Sequence, residues 1–142
     1  MLAKAIANAV KANFIIVKGP ELLNKYVGES EQAVREVFGR AQRASPCVIF
    51  FDEFDALAPK RSDQGNQVTE RVVNTLLTAL DGVEERKMVF VIAATNRKDM
   101  IDEATLRAGR IQKHLYVPEP TEHERIEILR AITKRMKINK NI

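Results

Sequence analysis

Apolar residues along this chain fall into two spacings. Short uninterrupted runs at 14–17 (FIIV), 48–51 (VIFF) and 88–94 (MVFVIAA) each stop at a polar residue. They are too short for helices and read as buried strands. Between them, apolar residues recur three and four apart. Residues 29–43 carry them at 33, 34, 37, 38 and 41, with Glu29 and Glu31 in the first turn and Arg40 and Arg43 in the last, matching a helix dipole. Ser45-Pro46 ends that helix. The alanine-rich stretch 2–12, closed by Asn13, predicts another helix, and Val68, Val72, Val73, Leu76, Leu77 and Leu80 predict a third over 67–80, closed by Asp81-Gly82. Residues 58–66, with Pro59 and Gly65, read as a loop. A short helical stretch at 103–106, a last short strand at 114–117 and a helix from 122 to about 136 complete the pattern, the last opened by a capping box from Thr121 to Glu124. Strands alternating with helices predict an α/β fold with a parallel sheet flanked by helices.

Composition adds limits more than identity. The chain has 142 residues, 45% hydrophobic and 30% charged, ordinary for one soluble globular domain. No apolar run approaches the roughly 18 to 20 residues of a membrane helix and the N-terminus lacks a cleavage site, so no membrane association or secretion is expected. The one cysteine, Cys47, sits among Val, Ile and Phe as a small buried hydrophobe. His114 and His123 have no partner at ligand spacing, so no protein-bound metal cage is expected. The net charge of +4 gathers near the C-terminus, at Arg130, Lys134, Arg135, Lys137 and Lys140. Without interleaved aromatics, these charges read as a solvated helix face and not as a nucleic-acid contact.

The chemistry concentrates where strands end. Four bulky apolar residues followed by Asp52-Glu53 place two carboxylates at the carboxyl end of a parallel strand, where open α/β sheets bind ligands. In phosphoryl transfer Asp52 can hold the water shell of Mg²⁺, while Glu53 orients and deprotonates the attacking water. The next strand leaves Asn96 at the same edge, where an amide can bond both a γ-phosphate oxygen and a water. Arg107 and Arg110 follow on one loop, suited to a polyphosphate. Each feature also has an ordinary explanation: an exposed strand end, an Asx turn, a surface turn.

Together, IFFDEFDAL, AATN and IDEATLRAGR resemble the acidic strand, polar sensor and second region of homology of the AAA+ ATPases, over essentially the entire chain. The resemblance implies ATP and Mg²⁺ as cofactors and a P-loop NTPase-like sheet over residues 1–120, with 121–142 beginning a small helical lid. It also implies a homo-hexameric ring in which Arg107 and Arg110 reach a neighbour's nucleotide. GPELLNKYVGESE extends it: Lys25, Tyr26, Val27 and Gly28 match a pore loop that grips a threaded polypeptide, with Gly28 as its hinge. PCVIFFDEFDAL, PKRSD and GVEERKMVFVIAATNR most resemble the second ATPase module of the nuclear valosin-containing-protein-like subfamily, which implies pre-ribosomal particles as partners and a nuclear or nucleolar site, with the cytoplasm as the alternative.

Several positions depart from the family pattern. No phosphate-cradling G-x-x-x-x-G-K-[ST] occurs in these residues. Family members carry it just before the helix at 2–12, after a central strand that lies between those corresponding to 88–94 and 114–117. Without that strand the two lose their shared partner, and marginal stability is expected. Ala108 stands where proline is common, Ala79 where an acid is usual, and Ile111-Gln112 where Leu-Asp is usual. A catalytically incompetent interaction module is the competing expectation. A nucleic-acid helicase, suggested by DEFD, fits less well, because AATN is followed by both arginines on one nearby loop.

Overall fold

The computed structural model describes residues 2–23, 28–60, 67–85, 88–134 and 136. Among the described residues three parallel strands, β1 (Asn13–Lys18), β2 (Cys47–Asp52) and β3 (Val89–Ala93), form one sheet in chain order. The register aligns Ile15 with Ile49 and Val91, and Val17 with Phe51 and Ala93. Helix α1 (Leu2–Ala9) precedes the sheet, α2 (Glu29–Arg43) crosses from β1 to β2, and α3 (Phe54–Leu57) and α4 (Gln67–Glu85) lie between β2 and β3. Helix α5 (Glu122–Thr133) comes last.

Strand alternation sorts β2 into two faces. Cys47, Ile49 and Phe51 enter the main core with Val34, Phe38 and Ala41 of α2 and Val72, Leu76 and Leu80 of α4. Val48 is buried outside that cluster, where α1 touches β1 and β2 and contributes buried Ala3 and Ala7. Phe51 links the layers, its ring 6.1 Å from Phe38 and 5.9 Å from Phe54. Burying side chains of this size stabilises the fold by about 1.5–3 kcal/mol each. The acids that end β2 are therefore carried by the most deeply buried strand.

The helix expected over 29–43 and the short helical stretch at 103–106, a 3₁₀ turn, have the predicted bounds. Other expectations need correction. Helix α1 stops at Ala9 and Asn13 starts β1, its side-chain amide donating to the Ala44 carbonyl at 2.6 Å. Asp81-Gly82 does not close α4, which continues to Glu85. In β1 only Val17 is buried, and in β3 only Val89, with Phe90 55% exposed. Both are edge strands, covered less completely than β2.

Residues 114–117 form no strand, and Leu115 is 90% exposed. A strand needs a neighbouring ladder for its N–H and C=O groups, and the order β1-β2-β3 sets none of the described strands beside this segment. Helix α5 has the expected capping box: Thr121 accepts from the Glu124 N–H, and Glu124 accepts from the Thr121 N–H. The Thr121 N–H and then the Thr121 hydroxyl, both donating to Glu124 Oε2 at 2.7 Å, hold the exposed Glu124 carboxyl below its ordinary pKa. The helix buries none of its residues, so its formation rests on local capping and propensity. No described helix is long and apolar enough to cross a membrane.

Candidate active site

The parallel register brings all three strand ends to one edge: Lys18 lies beside Asp52, and Phe51 beside Ala93. Asp52 is the last residue of β2. Glu53 follows in the left-handed region, with φ 51° and ψ 49°, and its N–H donates to Asp52 Oδ1 at 3.0 Å. This reversal turns the chain directly into α3, burying Phe54 and Leu57 while the Glu53 side chain stays exposed. Gly19, just beyond β1, packs against the same turn. A Cβ on Gly19 would lie 2.3 Å from the Glu53 carbonyl oxygen, so only glycine fits this close approach.

Asn96 is held from both sides. The Ala94 N–H donates to the Phe51 carbonyl at 2.8 Å, and the Phe54 N–H to the Ala94 carbonyl at 3.0 Å, carrying the β2–β3 connection past the end of the ladder. The Thr95 hydroxyl donates to Asp55 Oδ1 at 2.6 Å, and the Arg97 N–H donates to Thr95 Oγ1 at 2.9 Å. The amide thus sits exposed between two anchored residues, on the same edge as Asp52 and Glu53.

The two arginines differ. Arg110 is half-buried and forks onto Asp81 of α4, with Nε 2.6 Å from Oδ1 and Nη2 2.8 Å from Oδ2; Nη1 donates to the Ala104 carbonyl at 2.7 Å. The hydrogen bond from Arg110 holds the Asp81 carboxyl below its usual range, and the same bond raises the Arg110 pKa. Arg107 is exposed, and its guanidinium has no polar partner among the described residues. The loop's base is tied down by the Lys60 N–H to the Met100 carbonyl at 2.8 Å and the Asp102 N–H to the Ala58 carbonyl at 2.9 Å, around a bridge between Pro59 and Ile101. Buried Asp102 accepts the Ala104 N–H at 2.7 Å and opens the 3₁₀ turn before Arg107.

Asp52, Glu53 and Asn96 therefore share an edge, as expected from the sequence. Lys25, Tyr26 and Val27 lie outside the described residues. Gly28 has φ 89° and accepts the Gln32 N–H at 3.1 Å as α2 begins. Four contributors were not anticipated: Gly19, Asp55, Thr95 and Asp81. Thr95 adjoins Asn96 and Asp55 closes the DEFD run, but only the folded chain reveals a bond between residues 40 positions apart. Cys47 is fully buried, which raises its thiol pKa.

Two hard carboxylates and an amide on one edge fit the magnesium and water side of Mg²⁺-ATP. A phosphate chain also calls for backbone N–H donors and a lysine, and the 142 residues contain no G-x-x-x-x-G-K-[ST] stretch to supply them.

Residues 1–119 match the model of the ATPase family associated with various cellular activities. A putative ribosome biogenesis ATPase of Dictyostelium discoideum is 63% identical over the whole chain, which covers 17% of that relative. A nuclear valosin-containing protein-like protein of Mus musculus is 60% identical over 94% of the chain and 16% of its own length. A cell division cycle protein 48 homolog of Archaeoglobus fulgidus is 62% identical over 92% of the chain and 18% of its own length. The chain thus spans about a sixth of the length of the curated relatives it matches.

Proposed function

The chain belongs to the AAA family of ATPases, and from that premise we propose that it forms part of an ATP-hydrolysing remodelling motor acting in ribosome biogenesis. The observation that carries the chemistry is the carboxylate pair Asp52-Glu53 at the end of the central strand, on the same edge as Asn96. Glu53, exposed at the turn, orients the attacking water and takes its proton. Asp52 would hold the cation through its water shell, and its Oδ1 also receives the Glu53 N–H, which ties the two acids together. Asn96 donates toward the phosphoryl oxygen or the water, its backbone fixed through Thr95 and Arg97. Bound Mg²⁺-ATP supplies the γ-phosphoryl group and the cationic charge that these oxygens complement.

The loop carrying Arg107 and Arg110 serves the nucleotide of a neighbouring subunit, which makes the working form a ring, a homo-hexamer by family pattern. Lys25, Tyr26, Val27 and Gly28 grip a protein substrate threaded through that ring. The relative named for ribosome biogenesis supports pre-ribosomal particles as the substrate class and the nucleus or nucleolus as the place of action.

Steady-state ATP hydrolysis by the assembled protein tests the reading. Glu53→Gln removes the base while keeping side-chain volume, and turnover should fall by about 10² to 10⁴. Unchanged turnover in that variant sinks the assignment of Glu53.

A further inference from the structure

Resting on the reading of this chain as part of a ring ATPase, we propose that Arg107 and Arg110 divide the work of their loop. Asp81 is a positioning residue that holds Arg110 as a clamp, and Arg107 alone is presented to the neighbouring subunit.

Three nitrogens of the Arg110 guanidinium are engaged within the chain. Nε and Nη2 fork onto the two Asp81 oxygens at 2.6 and 2.8 Å, and Nη1 donates to the Ala104 carbonyl at 2.7 Å. A fork onto carboxylate is the geometry in which arginine is most strongly directed. The side chain is only 19% exposed, so reaching a second subunit would break all three bonds and withdraw it from its packing. Arg107 has the opposite character: exposed, extended at φ −72° and ψ 162°, its guanidinium without a polar partner among the described residues.

The clamp also fixes where Arg107 stands. The Arg110 N–H donates to the Arg107 carbonyl at 3.1 Å, and the Ile111 N–H to the carbonyl of buried Thr105 at 3.1 Å, closing the loop on itself around Gly109 at φ 84°. Asp81 follows Leu80, which is buried in the main core with Leu76. The position of the arginine loop is therefore referred through Arg110 and Asp81 to the rigid body of α4. Breaking the fork should misplace Arg107 while leaving the subunit's own Asp52, Glu53 and Asn96 untouched.

ATP hydrolysis by assembled rings separates the roles, using Arg107→Ala, Asp81→Ala and Glu53→Gln alone and in mixtures. Asp81→Ala should lower kcat on the order of 100-fold, as a misplaced group does, with KM for ATP nearly unchanged. The discriminating readout is the mixed ring. A subunit defective only in what it gives its neighbour is rescued by Glu53→Gln subunits, whose arginine loop is intact, so mixing should restore turnover to Asp81→Ala as it does to Arg107→Ala. Wild-type kcat in Asp81→Ala, or a loss that mixing does not restore, overturns the clamp. Full turnover in Glu53→Gln alone overturns instead the ATPase reading beneath it. Should Asp81→Ala fail to assemble, the isosteric Asp81→Asn carries the same comparison.

Discussion

Thr95 donates its hydroxyl to the Asp55 carboxylate across 2.6 Å, and the Arg97 N–H donates back to the same hydroxyl at 2.9 Å. One side chain thus fastens the loop after β3 to the first turn of α3, with Asn96 in between. Thr95→Val keeps the shape and removes the donor, leaving the partly buried carboxylate short of a hydrogen bond. It should cost about 1–3 kcal/mol, whereas Thr95→Ser should keep most of the stability. Urea denaturation of both variants checks this; equal midpoints for Val and Ser would refute the role of the hydroxyl.

Gly19→Ala should be more disruptive than its size suggests. The added methyl would lie 2.3 Å from the Glu53 carbonyl oxygen, and that partner is backbone, with no rotamer to move away. Overpacking of this kind costs about 1–3 kcal/mol. Thermal melting should show the loss, and Gly39→Ala provides the control, because a Cβ there meets nothing closer than the flexible end of Arg43 at 3.6 Å.

The Asp81–Arg110 fork should make stability depend on acid. Folding lowers the Asp81 pKa, chiefly through the hydrogen bond from Arg110. The contribution is therefore complete above the unfolded value of about 4 and fades as the pH falls through the lower folded value. Asp81 is 54% exposed, so solvent and salt screen the pair and the effect is small. The stability gap between wild type and Asp81→Asn, read by denaturant midpoint, should be present near neutrality, shrink below about pH 4, and narrow at high salt.

Phe51→Ala should be the most damaging of these changes. Its ring is fully buried, lies on the central strand and contacts both Phe38 and Phe54. The lost transfer energy and the cavity together cost about 3–5 kcal/mol. Because Asp52 follows directly, turnover should fall with stability. A near-wild-type denaturation midpoint would show that the core tolerates the void.

Much of the site was legible because its residues sit at strand ends. A run of apolar residues stopping at two acids announces both a buried strand and the edge where it emerges. The same signal in β3 placed Asn96. The run at 114–117 misled for a related reason: apolar residues in sequence show a wish for burial, but a strand also requires a neighbour's hydrogen bonds, and none of the described strands lies beside it. Asp81-Gly82 misled differently. The pair has the composition of a helix stop, yet Asp81 remains helical, and its carboxylate is bound by a guanidinium 29 positions away.

Residue order alone carried the alternation of strands and helices, the bounds of α2, the capping of α5 and the positions of the acids, amide and arginines of the candidate site. These follow from periodicity, local hydrogen bonding and short-range motif, all of which neighbouring residues encode. Only the tertiary structure decided that Gly19 must be bare against Glu53, that Thr95 and Asp55 hold Asn96, and that Arg110 is bound while Arg107 is exposed. Those outcomes depend on which distant backbone or side-chain atoms approach within bonding distance, and packing settles that after local preferences have been satisfied.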